Sequence, residues 1–413
     1  MREELHSCAA TRRGGQHRRL IVLTLLLPPF GRNTWALLTR AWAPAFAVGL
    51  LFPLAAQAAP TVGVRTQPQF EAALTALRHT GGEIDLLPNL YRRRLLVTGR
   101  FGGPLKIVAR EGARVQRLLL YRTRGVSVGP LRLVPLTGDA RIRVRASRNV
   151  VLHDLLVSAE GTRWSAGVEV PDSRWISIRR STFTHCGDRA PNWSNCLLLR
   201  NRSYHVTIAR SWFHDCYGCD FVHGRIGAHL TVRGSKFERA LPCRLEDLDM
   251  RLVRLYLGKY ASVRCDHQDH IELFSGDYMR FEHNEFGVYR RGGAQLYVTG
   301  ESRHDVIANN VFHGTDPRLP GYHARVGILV GGNGGGPVPT FARIVHNRIY
   351  TGARRIDGYA ASISISRAYL WRLPAAARPL IAHNVIGLLA TRQPLCSGAK
   401  MIDNVILRGG CGR

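Results

Sequence analysis

Lysine is almost missing from this chain. Of 58 basic residues only four are lysine (Lys106, Lys236, Lys259 and Lys400), and with 29 acidic residues the formal charge is +29. Genome composition is a bland source for such an arginine bias. The physical consequence is the same: the surface should attract polyanions. Long apolar runs are missing too. Leu20 to Leu27 and Ala41 to Leu54 both fall short of the roughly 18–20 apolar residues a membrane-spanning helix requires. No second Cys-x-x-Cys accompanies Cys216-Tyr217-Gly218-Cys219, which argues against zinc. The glycine-rich stretch Gly331 to Pro337 has no following Lys-Ser/Thr, so it is no phosphate cradle.

What is present is one recurring phrase. It reads I-S-I-R-R-S-T-F from Ile176, V-T-I-A-R-S-W-F from Val206 and L-T-V-R-G-S-K-F from Leu230. Further copies start at Met279, Asp305, Ala342 and Pro379, and a last one runs from Met401 to Ile406. Ser or Asn holds one fixed place in each: Ser181, Ser211, Ser235, Asn284, Asn310, Asn347, Asn384 and Asn404. A period of roughly 20–30 residues, with longer insertions, marks stacked repeats. Within a copy, apolar and polar residues alternate as in a strand with one face inward. Asn tolerates a left-handed bend and can bond along a stack. Each copy is therefore expected to form strand, two-residue corner, strand. Many of them coil into an all-β, single-stranded parallel β-helix. An antiparallel sandwich also suits short strands and glycine-rich turns, but gives no reason for a corner residue at a fixed place.

Residues 1–58 read as an export segment: Arg32 and Arg40, the apolar run from Ala41, then Ala56-Gln57-Ala58 as a cleavage site. An early start codon would explain the extra apolar run upstream. Removing the segment leaves 51 basic and 27 acidic residues, a charge of +24. A periplasmic or secreted protein with no remaining membrane anchor is expected. Nucleic acid would suit the charge alone; export makes an anionic polysaccharide the expected partner instead. Eight cysteines then remain, an even set suited to disulfides that staple loops.

Residues 59–91 are expected to cap the coil and 92–413 to form it. Thr66 and Gln69 have the spacing of a capping box, Phe70, Ala73, Leu74 and Leu77 make one apolar stripe, and Gly81-Gly82 ends the helix. A helix there would cover the open end of the first turn. The capping helix, the following G-G-E-I-D-L-L-P-N-L-Y and the phrases ending in S-x-F or N-x-[FI] resemble the pectate-lyase-like superfamily of right-handed parallel β-helix proteins, over about residues 60–413. That resemblance implies polysaccharide lyases, hydrolases or uronate C5-epimerases, besides non-catalytic coats and adhesins. The N-T-D, Asp-Asp, G-H-G and R-I-K motifs of polygalacturonase-type hydrolases are missing, which speaks against that branch.

The densest titratable cluster is C-D-H-Q-D-H-I-E, Cys265 to Glu272. Counting back 13 residues from each corner places Val168, Leu198, Val222 and Ile271 inward, and Glu169, Leu199, His223 and Glu272 outward. If 241–260 is a loop and not a rung, Asp220 and His223 lie one strand spacing, roughly 4.8 Å, from Asp269 and Glu272. Asp266, His267 and Asp269 also resemble the D-P-H-D signature of mannuronan C5-epimerases; this implies His267 as base and Asp269 as its orienter or a calcium ligand. Abstraction of a uronate C5 proton needs positive charge near the developing enediolate. Arg290 and Arg291, or Ca²⁺ held by Asp220, Asp269 and Glu272, would supply it. His267 or His270 would move the proton. His223, Glu272, Gln295 and Tyr297 are candidate substrate contacts, and Trp164, Trp175, Trp193 and Trp212 candidate sugar platforms. Each Asp or His beside a corner has an equally good duller role, capping backbone groups. A non-catalytic glycan binder is the second expectation.

Overall fold

The alternation of the repeated phrase becomes, in the computed structural model, three stacked files of short strands. The structure describes residues 59–407, excepting 137, 163, 188–194, 201, 218, 242–268, 289–293, 314–325, 332–338, 351–360, 366–369, 371 and 388–397. Every strand pairing among the described residues is parallel: Arg174–Arg179 lies between Arg148–His153 and Tyr204–Ala209, and Thr182–Thr184 between Leu155–Ser158 and Trp212–Tyr217. A third file runs through Ala166–Pro171, Leu197–Arg200, Val222–Gly224, Ile271–Leu273, Ala294–Val298 and Val326–Val330. Here these files are the first, second and third faces. Residues 57–413 form one compact unit, a right-handed parallel β-helix, the hand that parallel crossovers take.

The capping helix spans Gln67–Ala76 with both halves of the Thr66–Gln69 capping box formed. Phe70, Ala73 and Leu77 enter the core. It is flanked by strands already in the coil, since Thr61–Val64 pairs with Gly82–Leu86.

Inside, like residues pile on like. Phe183, Phe213, Phe237, Phe286 and Phe312 stack with ring centroids 4.5–5.1 Å apart, each pair adding about 0.5–1.5 kcal/mol beyond its buried area. At the corner between first and second faces, the backbone N–H of Ser181 donates to Ser211 Oγ (3.3 Å), Ser211 to Ser235 Oγ (3.2 Å) and Ser235 to Asn284 Oδ1 (3.0 Å). Asn284, Asn310, Asn347, Asn384 and Asn404 continue the ladder, with N–H to Oδ1 distances of 2.9–3.0 Å.

One detail differs from the sequence expectation. The left-handed residue is the one before the ladder residue: Arg180, Arg210, Gly234, His283, Asn309, His346, His383 and Asp403, with φ from +47° to +58°. The Ser or Asn supplies the acceptor, and its neighbour makes the bend.

Candidate functional site

The third face carries the titratable residues. Its outward file runs, one rung apart, Glu169, Leu198, His223, Glu272, Tyr297 and Leu329. Leu197, not Leu198, is the inward residue of its rung. The cause is one extra residue between Leu199 and Ser203 relative to Val170 and Ser173. Val222–Gly224 pairs directly with Ile271–Leu273, so no strand of this face separates His223 from Glu272.

His223 Nδ1 lies 2.8 Å from Asp220 Oδ2 and 3.1 Å from Glu272 Oε2. Burial disfavours the imidazolium, but hydrogen bonds to Asp220 and Glu272 and their charges overcome it, and the pKa is pushed up to about 10. At neutral pH His223 is therefore a fixed cation between two nearly buried carboxylates.

Asp220 and Asp269 have a second task. Asp220 accepts the N–H of Asp269 (2.8 Å) through Oδ1, and Asp269 Oδ1 in turn accepts the N–H of Ala294. Asn195 Oδ1 accepts the N–H of Asp220 at 3.3 Å. These three residues form a ladder at the corner between second and third faces, and Asn195 is a member the sequence reading missed. Burial, then the nearby Asp220 and Glu272, raise the Asp269 pKa well above the usual carboxylate range.

The sequence-selected residues divide accordingly. Asp220, His223 and Glu272 converge. His270 does not join them: it lies in the core, its ring centroid 5.4 Å from Phe221 and 6.2 Å from Phe286, and burial drops its pKa to about 3. A proton-shuttling surface role for His270 is corrected by that placement. Gln295 is likewise inside, its amide donating to the carbonyls of Phe286 (3.1 Å) and His313 (3.0 Å), so it is no substrate contact. The signal was in the sequence: His270 follows Asp269 as Phe221 follows Asp220, and both turn inward where the corner interrupts alternation. Tyr297 is on the outward file, packed with Ala294 and Leu329. His267, Arg290, Arg291 and Trp193 lie outside the described residues.

Asp220, His223 and Glu272 bring ligand atoms within 4.8 Å of one another. The set expected for Ca²⁺, namely Asp220, Asp269 and Glu272, does not fit it. Calcium takes six to eight oxygens, whereas here a nitrogen sits between the carboxylates and an Asp269 oxygen holds a backbone N–H. Two rungs toward the N-terminus, Glu169 is ringed by Arg200 (3.2 Å), Arg143 (3.3 Å) and Arg141 (3.7 Å), leaving local positive charge beside a small cleft that Asn195 and Leu198 also line. The described cysteines pair as Cys186–Cys196 and Cys216–Cys219.

No protein-family model and no curated protein matches the chain. Among solved structures it is similar to a surface adhesin of Streptococcus pneumoniae, at 10% identity over 84% of this chain and 89% of that one, TM-score 0.48. It is also similar to an alginate lyase from a Paenibacillus species (10% identity, 84% and 99% covered, TM-score 0.40). A third likeness is the A-module of an Azotobacter vinelandii mannuronan C-5 epimerase (10%, 85% and 98%, TM-score 0.38). No helix among the described residues is long and apolar enough to cross a membrane.

Proposed function

We propose that this chain is an exported, carbohydrate-active β-helix protein, periplasmic or secreted. It binds an acidic, uronate-containing polysaccharide across the third face and abstracts its C5 proton, as a lyase or an epimerase. The observation that carries this reading is His223, held as an imidazolium by carboxylates from its own rung and the next. A base must be neutral to accept a proton, so His223 cannot start the reaction near pH 7. Its fixed charge suits the other requirement, stabilising negative charge on the uronate carboxylate as the enediolate develops. The arginines around Glu169 would hold a neighbouring sugar carboxylate. The base is then assigned to His267. No step is routed through a metal, because a cation would have to displace the His223 proton.

The test is turnover of alginate and polygalacturonate, read as ultraviolet absorbance of unsaturated uronate for a lyase and by proton NMR for an epimerase. His223→Ala and, separately, His267→Ala with Asp269→Ala should lower turnover by roughly 10²–10⁴ while circular dichroism stays unchanged. Undiminished rates would remove the site. A second reading, a non-catalytic glycan binder, is favoured by the ladder bonds that already occupy Asp220 and Asp269. Silence in both assays, with binding that weakens as salt rises, would select it.

A further inference from the structure

A different edge of the coil, where the third face turns into the first, carries two files that the candidate site does not use. The first is a column of like charge. Arg100 pairs in register with Arg124, Arg124 with Arg148, and Arg148 with Arg174, placing four exposed guanidiniums on consecutive rungs roughly 4.8 Å apart. None of the four has an ion-pair partner among the described residues. Arg100, Arg124 and Arg148, with Arg122, line one cleft of about 320 Å³ that has no acidic wall. Like charges directly opposite on neighbouring strands destabilise a sheet, so this column works against folding unless something anionic covers it.

The second file continues the same edge. Trp175, His205, His229, Tyr278, His304 and Phe341 are all exposed, and successive ring centroids lie 5.6, 4.4, 5.2, 5.2 and 4.9 Å apart. All six have left-handed backbone, φ +53° to +59°. For a Trp, Tyr or Phe that is an uncommon conformation, and repeating it fixes one ring per rung. The two files meet at Arg174, whose guanidinium lies 5.3 Å from the Tyr204 ring centroid, and at Trp175 beside it. Above Trp175 the same column holds Asn149 and Gly125, so among the described residues the stack of rings begins at this indole.

We propose that this edge is a second binding track for an acidic polysaccharide, lying along the coil axis and separate from the Asp220–His223–Glu272 site. One guanidinium per rung suits a linear polymer with an anionic group on each repeat, taken up by bidentate carboxylate contacts. The exposed indole of Trp175 takes a sugar ring, and the ring edges beyond it offer imidazole and phenol groups to hydroxyls. Single-stranded nucleic acid fits less well. Its bases need open ring faces to stack on, and in this column the inner rings cover one another.

The experiment is fluorescence anisotropy of labelled polygalacturonate oligomers on the full chain across a salt series, with labelled single-stranded DNA and neutral dextran alongside. Arg124→Ala with Arg148→Ala should weaken polygalacturonate binding on the order of tenfold or more and flatten its salt dependence. Trp175→Ala should weaken it several-fold and leave the salt dependence intact. The arginine pair should melt no lower than the parent, because repulsion is removed; were it to misfold, Arg124→Gln with Arg148→Gln replaces it. Unchanged affinity in the folded arginine variant, no binding of polygalacturonate by the parent, or tighter binding of DNA than of the polysaccharide would each overturn the track. Loss of binding in His223→Ala alone would do the same, placing the polymer only on the third face. Unchanged affinity in the arginine variant, or tighter binding of DNA, removes the track and leaves the proposed catalysis standing, whereas no binding by the parent removes polygalacturonate from both.

Discussion

Two corners of this coil solve one problem with different chemistry. Between first and second faces, eight neutral residues from Ser181 to Asn404 pass hydrogen bonds from rung to rung. Between second and third faces, Asn195, Asp220 and Asp269 do the same with two carboxyls. An amide satisfies a buried N–H without the cost of burying a charge. A corner that needed only stability would keep Ser or Asn, as the long ladder does. The carboxyls appear where the adjoining rungs also carry His223 and Glu272, and the proposed function gives that second corner a task besides packing.

His223→Ala breaks the comparison hardest. It leaves the Asp220 and Glu272 carboxylates facing each other without their cation, and losing one member of a buried ionic group costs about 3–5 kcal/mol. Urea denaturation at pH 7 reads it directly. The parent should carry its own pH signature here. Because the folded pKa of His223, about 10, stands above its unfolded value near 6.5, its contribution is complete below pH 6.5 and lost as pH rises through 10. The variant should lose that alkaline limb, and a parent with no such limb would contradict the clamp.

Asn310→Ala attacks the neutral corner. It strips the acceptor from the Asn284 N–H, 2.9 Å away, and the donor from the Phe281 carbonyl, 2.8 Å away, both buried. Each unsatisfied group costs about 1–3 kcal/mol, so a loss of about 2–6 kcal/mol is expected in the same denaturation experiment. A loss below 1 kcal/mol would mean the ladder is incidental.

The neutral corner was legible in the sequence because it recurs. Alternation, corner and closing Phe or Ile sit at fixed offsets, and stacking in register preserves them. The charged corner was half legible. Asp220 with His223, and Asp269 with Glu272, share a spacing that places them on neighbouring rungs. Alternation, however, predicts neither which corner side chains turn inward nor which carboxyl oxygens a backbone N–H already occupies. Asp220, Phe221 and Val222 are all buried, as are Asp269, His270 and Ile271, and no two-residue period encodes three buried neighbours. His270 was misplaced for that reason. The left-handed residue was set one position late because Asn favours that backbone, while the ladder needs the Asn side chain more.

Asp269→Asn sharpens the comparison by making the charged corner resemble the neutral one. The amide oxygen still accepts the Ala294 N–H, and a buried carboxyl disfavoured by Asp220 and Glu272 is gone. Stability at pH 7 should stay level or rise by about 1 kcal/mol. A clear loss would show that the carboxyl is itself required there.

The smallest effect at neutral pH tests whether a buried carboxyl is by itself a mark of the site. Asp305 is one on a different face: it accepts the Met279 N–H at 2.9 Å and the Ser302 hydroxyl at 2.6 Å, and no histidine among the described residues clamps it. Burial, outweighing those hydrogen bonds, pushes its pKa up to about 7. Since that folded value exceeds the unfolded value near 3.8, its stabilising contribution is complete below pH 3.8 and declines as pH rises through 7. Asp305→Asn keeps an acceptor for Met279, so it should flatten the stability profile between about pH 4 and 8 and leave turnover untouched. Asp269→Asn, judged by the same two measurements, should lower turnover as well. If both substitutions alter stability and neither alters turnover, the charged corner is a ladder like the other, and the glycan-binding reading gains at the expense of catalysis.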